Sequence, residues 1–185
     1  TKTITRTWTA TDECGNATSA DQTITVRDTT APSITAPADV TIECTTDESS
    51  ATNGLATGSD TCGNVTITES DAVVNACGNT KTITRTWTAT DECGNATSAN
   101  QTITVIDTTK PVITPASDLT VECDGTGICG GSSNTSALNT WLANHGGATA
   151  SDTCSEVTWS HNYTNLSDLC GATGAATVTF TATDA

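Results

Sequence analysis

The chain has no methionine, one tyrosine, one phenylalanine and four tryptophans among its 185 residues. So few large side chains make only a small apolar core, and stability must draw on something besides packing. Lysine and arginine together number six against 21 acidic residues, for a formal net charge of −15. That shortage of cations argues against nucleic acid and anionic membrane surfaces, whose binding needs basic patches. The excess of anions suits solubility outside a cell and the capture of hard cations. No apolar run of membrane-spanning length occurs, and none opens the chain. With methionine absent as well, the chain is expected to be an internal piece of a longer polypeptide, its sorting signals and anchors elsewhere.

What the chain does contain is repetition. TKTITRTWTATDECGNATSADQTITVRDTTAP at 1–32 returns 79 residues later as TKTITRTWTATDECGNATSANQTITVIDTTKP, with only Asp21/Asn100, Arg27/Ile106 and Ala31/Lys110 differing. A catalytic site is normally built once per domain, whereas a module written again and again supplies length, valency or stiffness. The period divides the chain into the C-terminal part of a first repeat (1–28), a complete repeat (31–107) and a third repeat (110–185). The third carries an insertion near 126–147 and stops before its last hairpin.

Eight of nine cysteines obey the repeat. Cys44, Cys62, Cys77 and Cys93 belong to the complete copy, Cys14 matches Cys93, and Cys123, Cys154 and Cys170 match the first three. A fourth is expected one position beyond Ala185, and Cys129 has no counterpart. Such a pattern reads as a disulfide framework made in an oxidising compartment. The spacings of 18, 15 and 16 residues contain no close C-x-x-C pair, and neither His145 nor His161 recurs, which argues against zinc.

Between the cysteines the pattern alternates. From Thr80 to Asp91 every even position is threonine, while the odd positions read Lys81, Ile83, Arg85, Trp87, Ala89 and Asp91. Period two with β-branched residues predicts a strand burying Ile83, Trp87 and Ala89, with Arg85 at the core margin covering apolar surface with its stem. Asp91-Glu92-Cys93-Gly94-Asn95 turns the chain into a second strand over Ala96–Val105. Shorter strands are predicted at Ser33–Ala36, Val40–Cys44 and Val65–Ser70, and a short helix at Ser136–Asn144 within the insertion. The whole reads as an all-β fold of tandem immunoglobulin-like, Greek-key β-sandwich repeats. That topology places Cys62 with Cys93 at one end of the sandwich and Cys44 with Cys77 at the other. The expected disulfides are therefore Cys44–Cys77, Cys62–Cys93 and Cys123–Cys170, with the partners of Cys14 and Cys154 outside these 185 residues.

The run Thr88-Ala89-Thr90-Asp91-Glu92-Cys93-Gly94-Asn95, the motif Ser59-Asp60-Thr61-Cys62 and the Asp-Thr-Thr-x-Pro joints at 28–32 and 107–111 resemble the hyalin-repeat (HYR) family. In its four-cysteine form the module is similar to tandem repeats of giant Bacteroidetes cell-surface proteins, gliding-motility adhesins exported by the type IX secretion system among them. The resemblance covers essentially the whole chain. It implies an extracellular, cell-surface location, and O-linked sugar at Thr29 and Thr108 of the joints. The insertion and Cys129 depart from the pattern.

Asp28, Asp60, Asp91 and Glu92 are expected around one joint, and Asp107, Asp152 and Asp184 around the next. Clustered carboxylates repel unless a cation such as Ca²⁺ joins them, although aspartates also accept N–H groups of their own turns. The threonine rows invite comparison with ice-binding surfaces, but they come from single strands of a twisted sheet. Sequons at Asn16, Asn64, Asn95, Asn134, Asn162 and Asn165 are ordinary in so Thr- and Asn-rich a chain. No nucleophile–base–acid set recurs, and adjacent Asp91 and Glu92 cannot flank a substrate, so no enzyme is expected. The expected function is a stalk or filament segment of a large extracellular adhesin, giving length and stiffness for surface adhesion or gliding motility. The alternatives are a passive spacer in a secreted polysaccharide-degrading enzyme and a self-assembling surface fibre. The expected partners are neighbouring repeats of the same chain or other copies in a fibre, with no nucleic acid and no direct membrane insertion.

Overall fold

The computed structural model describes residues 2–121, 132–164 and 174–185. The fold is all-β, with two helices and one 3₁₀ turn among the described residues. Among the described residues no helix is long and apolar enough to cross a membrane. By contacts the chain divides into two compact units. One comprises Thr1–Val40, Asp47–Val73 and Ile83–Ile103; the other comprises Thr41–Thr46, Val74–Thr82 and Thr104–Ala185.

β1 (Lys2–Thr11) and β2 (Ala17–Val26) form a two-stranded antiparallel sheet in unbroken register, from Lys2↔Val26 to Thr11↔Ala17. Their turn is set by one side chain. Asp12 Oδ1 accepts the N–H groups of Cys14 (2.9 Å) and Asn16 (2.8 Å), and Oδ2 takes the Asn16 amide (2.8 Å). Gly15, at φ +89°, supplies the left-handed residue that closes it.

The next copy adds β3 (Ser33–Thr35), β4 (Val40–Glu43), the helical turn α1 (Ser50–Asn53), β5 (Thr57–Ser59), β6 (Val65–Asn75), β7 (Lys81–Asp91) and β8 (Ala96–Ile106). β4, β8, β7 and β6 make a four-stranded sheet in that order, and β3 pairs antiparallel with β5. β5 lies against the larger sheet. A Cβ built on Gly58 would sit 3.4 Å from Ile67 Cδ1, 3.5 Å from the Ala89 Cβ and only 2.8 Å from the Ser33 carbonyl oxygen. Only glycine fits there.

The alternation of β7 is realised as expected: Ile83, Trp87 and Ala89 are buried. Arg85 corrects the sequence reading. It lies inside the core at 3 % exposure rather than at the margin. Asp71, on β6, makes this possible by accepting Nε and Nη2 at 2.8 Å each, while Nη2 also donates to the Glu48 carbonyl at 3.0 Å. The buried amide of Gln101 is anchored likewise, donating to the carbonyls of Ala38 (3.0 Å) and Asn53 (2.9 Å). β6 continues five residues past its expected end at Ser70, which brings Asp71 into line with Arg85.

The third copy shows β9 (Val112–Thr114), α2 (Ser132–Ala143), the 3₁₀ turn His145–Gly147, β10 (Thr149–Ser151), β11 (Thr158–His161) and β12 (Phe180–Thr183). Val112↔Ser151 and Thr114↔Thr149 repeat the register of Ser33↔Ser59 and Thr35↔Thr57. The inserted helix begins four residues earlier than expected. Trp141 packs edge-on against Phe180, with centroids 5.1 Å apart, and donates Nε1 to the Ser117 carbonyl at 2.9 Å.

The Arg85 guanidinium, by hydrogen bond and charge, holds the Asp71 carboxyl below the ordinary carboxylate range. Stability from a depressed carboxylate is present above its unfolded pKa and is lost as pH falls through the folded value. Asp71→Asn should cost about 1.5 kcal/mol near neutrality, the low end for a charged hydrogen bond because solvent screens a partly exposed carboxylate. Denaturant melts from pH 7 to pH 2 should show that difference shrinking below about pH 4.

Candidate functional site

Two copies of one small cluster stand out, and each can be described within its own unit. In the second unit Cys44 and Cys154 form a disulfide, with Cα atoms 5.9 Å apart and 110 residues between them in sequence. Cys44 follows β4, and its N–H donates to the Ile106 carbonyl at 2.9 Å, carrying the strand pairing one residue further. Cys154 lies in the loop between β10 and β11, where its N–H donates to Asp152 Oδ1 at 2.7 Å. Asp107, at the end of β8, completes the set. Its Oδ1 caps the Thr109 N–H (3.0 Å) and its Oδ2 accepts from Ser155 Oγ (3.5 Å). One oxygen of Asp107, one of Asp152 and the Cys154 sulfur lie within 4.8 Å of one another.

The surrounding chain is fitted to this loop. Asn79 donates its N–H to the Cys154 carbonyl at 2.7 Å. Gly78, at φ +55°, leaves no room for a side chain, since a Cβ would lie 2.6 Å from the Ser155 Cβ and 2.7 Å from the Cys154 carbonyl oxygen. Glu43 accepts the Thr108 hydroxyl at 2.6 Å and its N–H at 3.3 Å, tying the end of β4 to the joint after β8.

In the first unit Asp28, Asp60 and Cys62 repeat the arrangement within the same 4.8 Å. Cys62 N–H donates to Asp60 Oδ1 at 2.7 Å and Thr30 N–H to Asp28 Oδ1 at 3.0 Å, matching the bonds of Asp152 and Asp107. Asn95 binds both the Asp28 carbonyl (3.4 Å) and Asp91 Oδ2 (2.7 Å) through its amide nitrogen. The Cys62 thiol is exposed.

This geometry corrects the expected disulfides. Cys44 is bonded to Cys154, whose partner had been expected outside these residues, and not to Cys77, an exposed thiol. The expected Cys62–Cys93 bond is not formed. The physical reason is that the Asp152–Ser155 loop, one copy further on, folds against the end of β4 and β8 and reaches Cys44. A scheme confined to single copies could not find this partner. The sequence signal was Cys154, which such a scheme left without a partner among the 185 residues. The expected Cys123–Cys170 pair and Cys129 lie outside the described residues.

The acidic residues divide in the same way. Asp28 joins Asp60, and Asp107 joins Asp152, each with a cysteine that charge alone did not point to. Asp91 serves its own turn, whereas Glu92 reaches the loop before β6. The Asn95 side-chain amide, followed by backbone N–H groups, holds the Asp91 carboxyl below its ordinary range, and Glu92 accepts from the Asn64 amide at 2.8 Å. Asp184 belongs to neither cluster. Of the joint threonines, Thr29 is exposed, whereas the Thr108 hydroxyl is engaged by Glu43. Calcium takes six to eight oxygens, so two carboxylates per cluster would supply a minority of its shell. A disulfide sulfur adds no anionic ligand.

Family models, curated proteins and solved structures were compared with the chain, and none matches.

Closing a loop of 110 residues removes about 4.7 kcal/mol of unfolded-state freedom in the chain-entropy model. Reduction, or Cys44→Ser with Cys154→Ser, should therefore lower the melting temperature by roughly 10 °C. A chelator should lower it by much less, and calorimetry under both treatments gives the comparison.

Proposed function

We propose that this chain is a segment of a long extracellular stalk or filament, built of disulfide-linked immunoglobulin-like repeats similar to HYR modules. Its task is to carry load and hold distance for a cell-surface adhesin, as in surface attachment or gliding. The observation that carries this reading is the Cys44–Cys154 bond. It joins a strand of one copy to a loop of the next, so the covalent link lies between repeats and not inside one.

A stalk needs this more than an enzyme or a compact receptor does. Tension along a chain of modules first strains the joints, where few residues pack. A disulfide across the joint removes everything between Cys44 and Cys154, including the whole β6–β7–β8 meander, from the length that force can draw out. The Asp-Thr-Thr joint after β8 is stiffened further by hydrogen bonds, from the Thr108 hydroxyl to Glu43 and from the Thr109 N–H to Asp107. Calcium enters as a secondary stiffener at the Asp28/Asp60 and Asp107/Asp152 pairs. Sugar at exposed Thr29 would act in the same direction.

Stretching single molecules from their termini separates load-bearing from passive modules. The oxidised chain should resist extension between Cys44 and Cys154, and reduction should add roughly 380 Å of contour length at full extension. Equal contour lengths before and after reduction would remove the mechanical reading.

A further inference from the structure

We propose that the core of the complete repeat binds one ordered water molecule, held between Arg85, Trp87 and Gln101. The site goes beyond the stalk reading and does not depend on it.

These three side chains are sealed from solvent, at 3 %, 3 % and 0 % exposure. Arg85 Nη1, Trp87 Nε1 and Gln101 Oε1 are buried and have no hydrogen-bond partner. A buried polar atom gives up its hydration on folding, and nearly all such atoms are paired with protein or with ordered water. Register brings the three together. β1 and β2 set Arg6 opposite Gln22. β7 and β8 repeat those residues through the same turn, the Asp91 N–H on the Asn95 carbonyl as the Asp12 N–H is on that of Asn16. Arg85 therefore stands opposite Gln101 on the neighbouring strand. Trp87 follows Arg85 on the same inward face and is diagonal to Gln101, a separation that long and aromatic side chains span.

Asp71, on β6, takes the Nε and Nη2 edge of the guanidinium. Nη1 lies across the guanidinium from that edge, so it is turned away from β6, and β8 is on that side of β7. Gln101 Nε2 donates to the carbonyls of Ala38 and Asn53. Turning the amide over would set its oxygen against those two carbonyl oxygens, so Oε1 keeps its place as an acceptor. Trp8 Nε1 donates to Gln22 Oε1 at 3.4 Å, which shows how near indole and amide come at these positions. In the complete repeat Ala38 and Asn53 hold the amide, and the direct bond is not made.

Two donors and one acceptor select the ligand. A water molecule accepts from Nη1 and Nε1 and donates one proton to Oε1, three bonds, the ordinary number for a buried water. An anion would meet the donors but repel Oε1, and a cation would meet Oε1 but repel Arg85. Bound water would thus couple β7, through Gln101, to the loops of Ala38 and Asn53.

The probe is solvent water, observed by NMR in the intact 185-residue chain labelled with nitrogen-15. Trp87→Phe identifies the Trp87 indole signal by its loss. That indole proton should show cross-peaks to water with NOE and ROE of opposite sign, which marks a water held longer than the molecule takes to tumble. Cross-peaks of equal sign, or none, would overturn the proposal. A high-resolution crystal structure is the second measurement. It should show one density peak within hydrogen-bond distance of Nη1, Nε1 and Oε1. A direct Trp87–Gln101 bond like that of Trp8 and Gln22, or a peak reaching fewer than all three atoms, would overturn it. Anomalous density at the peak after a bromide soak would make the occupant an anion, with the same result.

Discussion

The bond between Cys44 and Cys154 is the constraint on which the rest of the second unit depends, because the chain around it has little else to hold it. The whole chain has only six aromatic residues, so large buried side chains are scarce. A disulfide acts mainly on the unfolded chain, so its contribution does not require a large apolar interface. Once the two sulfurs are joined, the Asp152–Ser155 loop is held where Asn79 can donate to the Cys154 carbonyl and Ser155 to Asp107. The short hydrogen bonds at the joint then work over a fixed geometry, not a mobile one.

Inside the sheets, polar groups do much of the work that large apolar residues do in richer cores. Arg85 fills core volume with its stem and is tolerated there because Asp71 takes two of its nitrogens. Gln101 spans two loops with one amide. Such groups specify arrangement as well as stabilising it, since each requires its partner in one place. The Asp12 and Asp91 turns follow the same logic on the surface. One carboxylate accepts two backbone N–H groups and an asparagine side chain, and the turn needs no packing to hold its shape.

The long hairpin strands, both hairpin turns and the inward face of β7 were legible in the sequence, because period-two alternation and the Asp-x-x-Gly-Asn turn depend on neighbours a few residues away. The three-residue β5 and β10 are too short to show alternation. The pairing of acidic residues was legible in part. Asp28 with Asp60 and Asp107 with Asp152 were expected together and stand together, while Asp91 is taken up by its own turn and Glu92 by Asn64. The burial of Arg85 was not legible, since it depends on how far β6 continues beyond Ser70 and where that puts Asp71.

The sequence by itself determined the all-β class, the 79-residue period, the hairpins and the existence of a cysteine framework, all consequences of local pattern and of repetition. Only the tertiary structure decided which cysteines meet. Disulfide pairing is a matter of distance between chain segments, and the segments that meet here are Cys44 and Cys154, 110 residues and one repeat apart. Only the tertiary structure, too, put Arg85 inside the core, by carrying β6 far enough to bring Asp71 beside it. Burial belongs to what packs on a strand, and no strand's own residues can specify its neighbour.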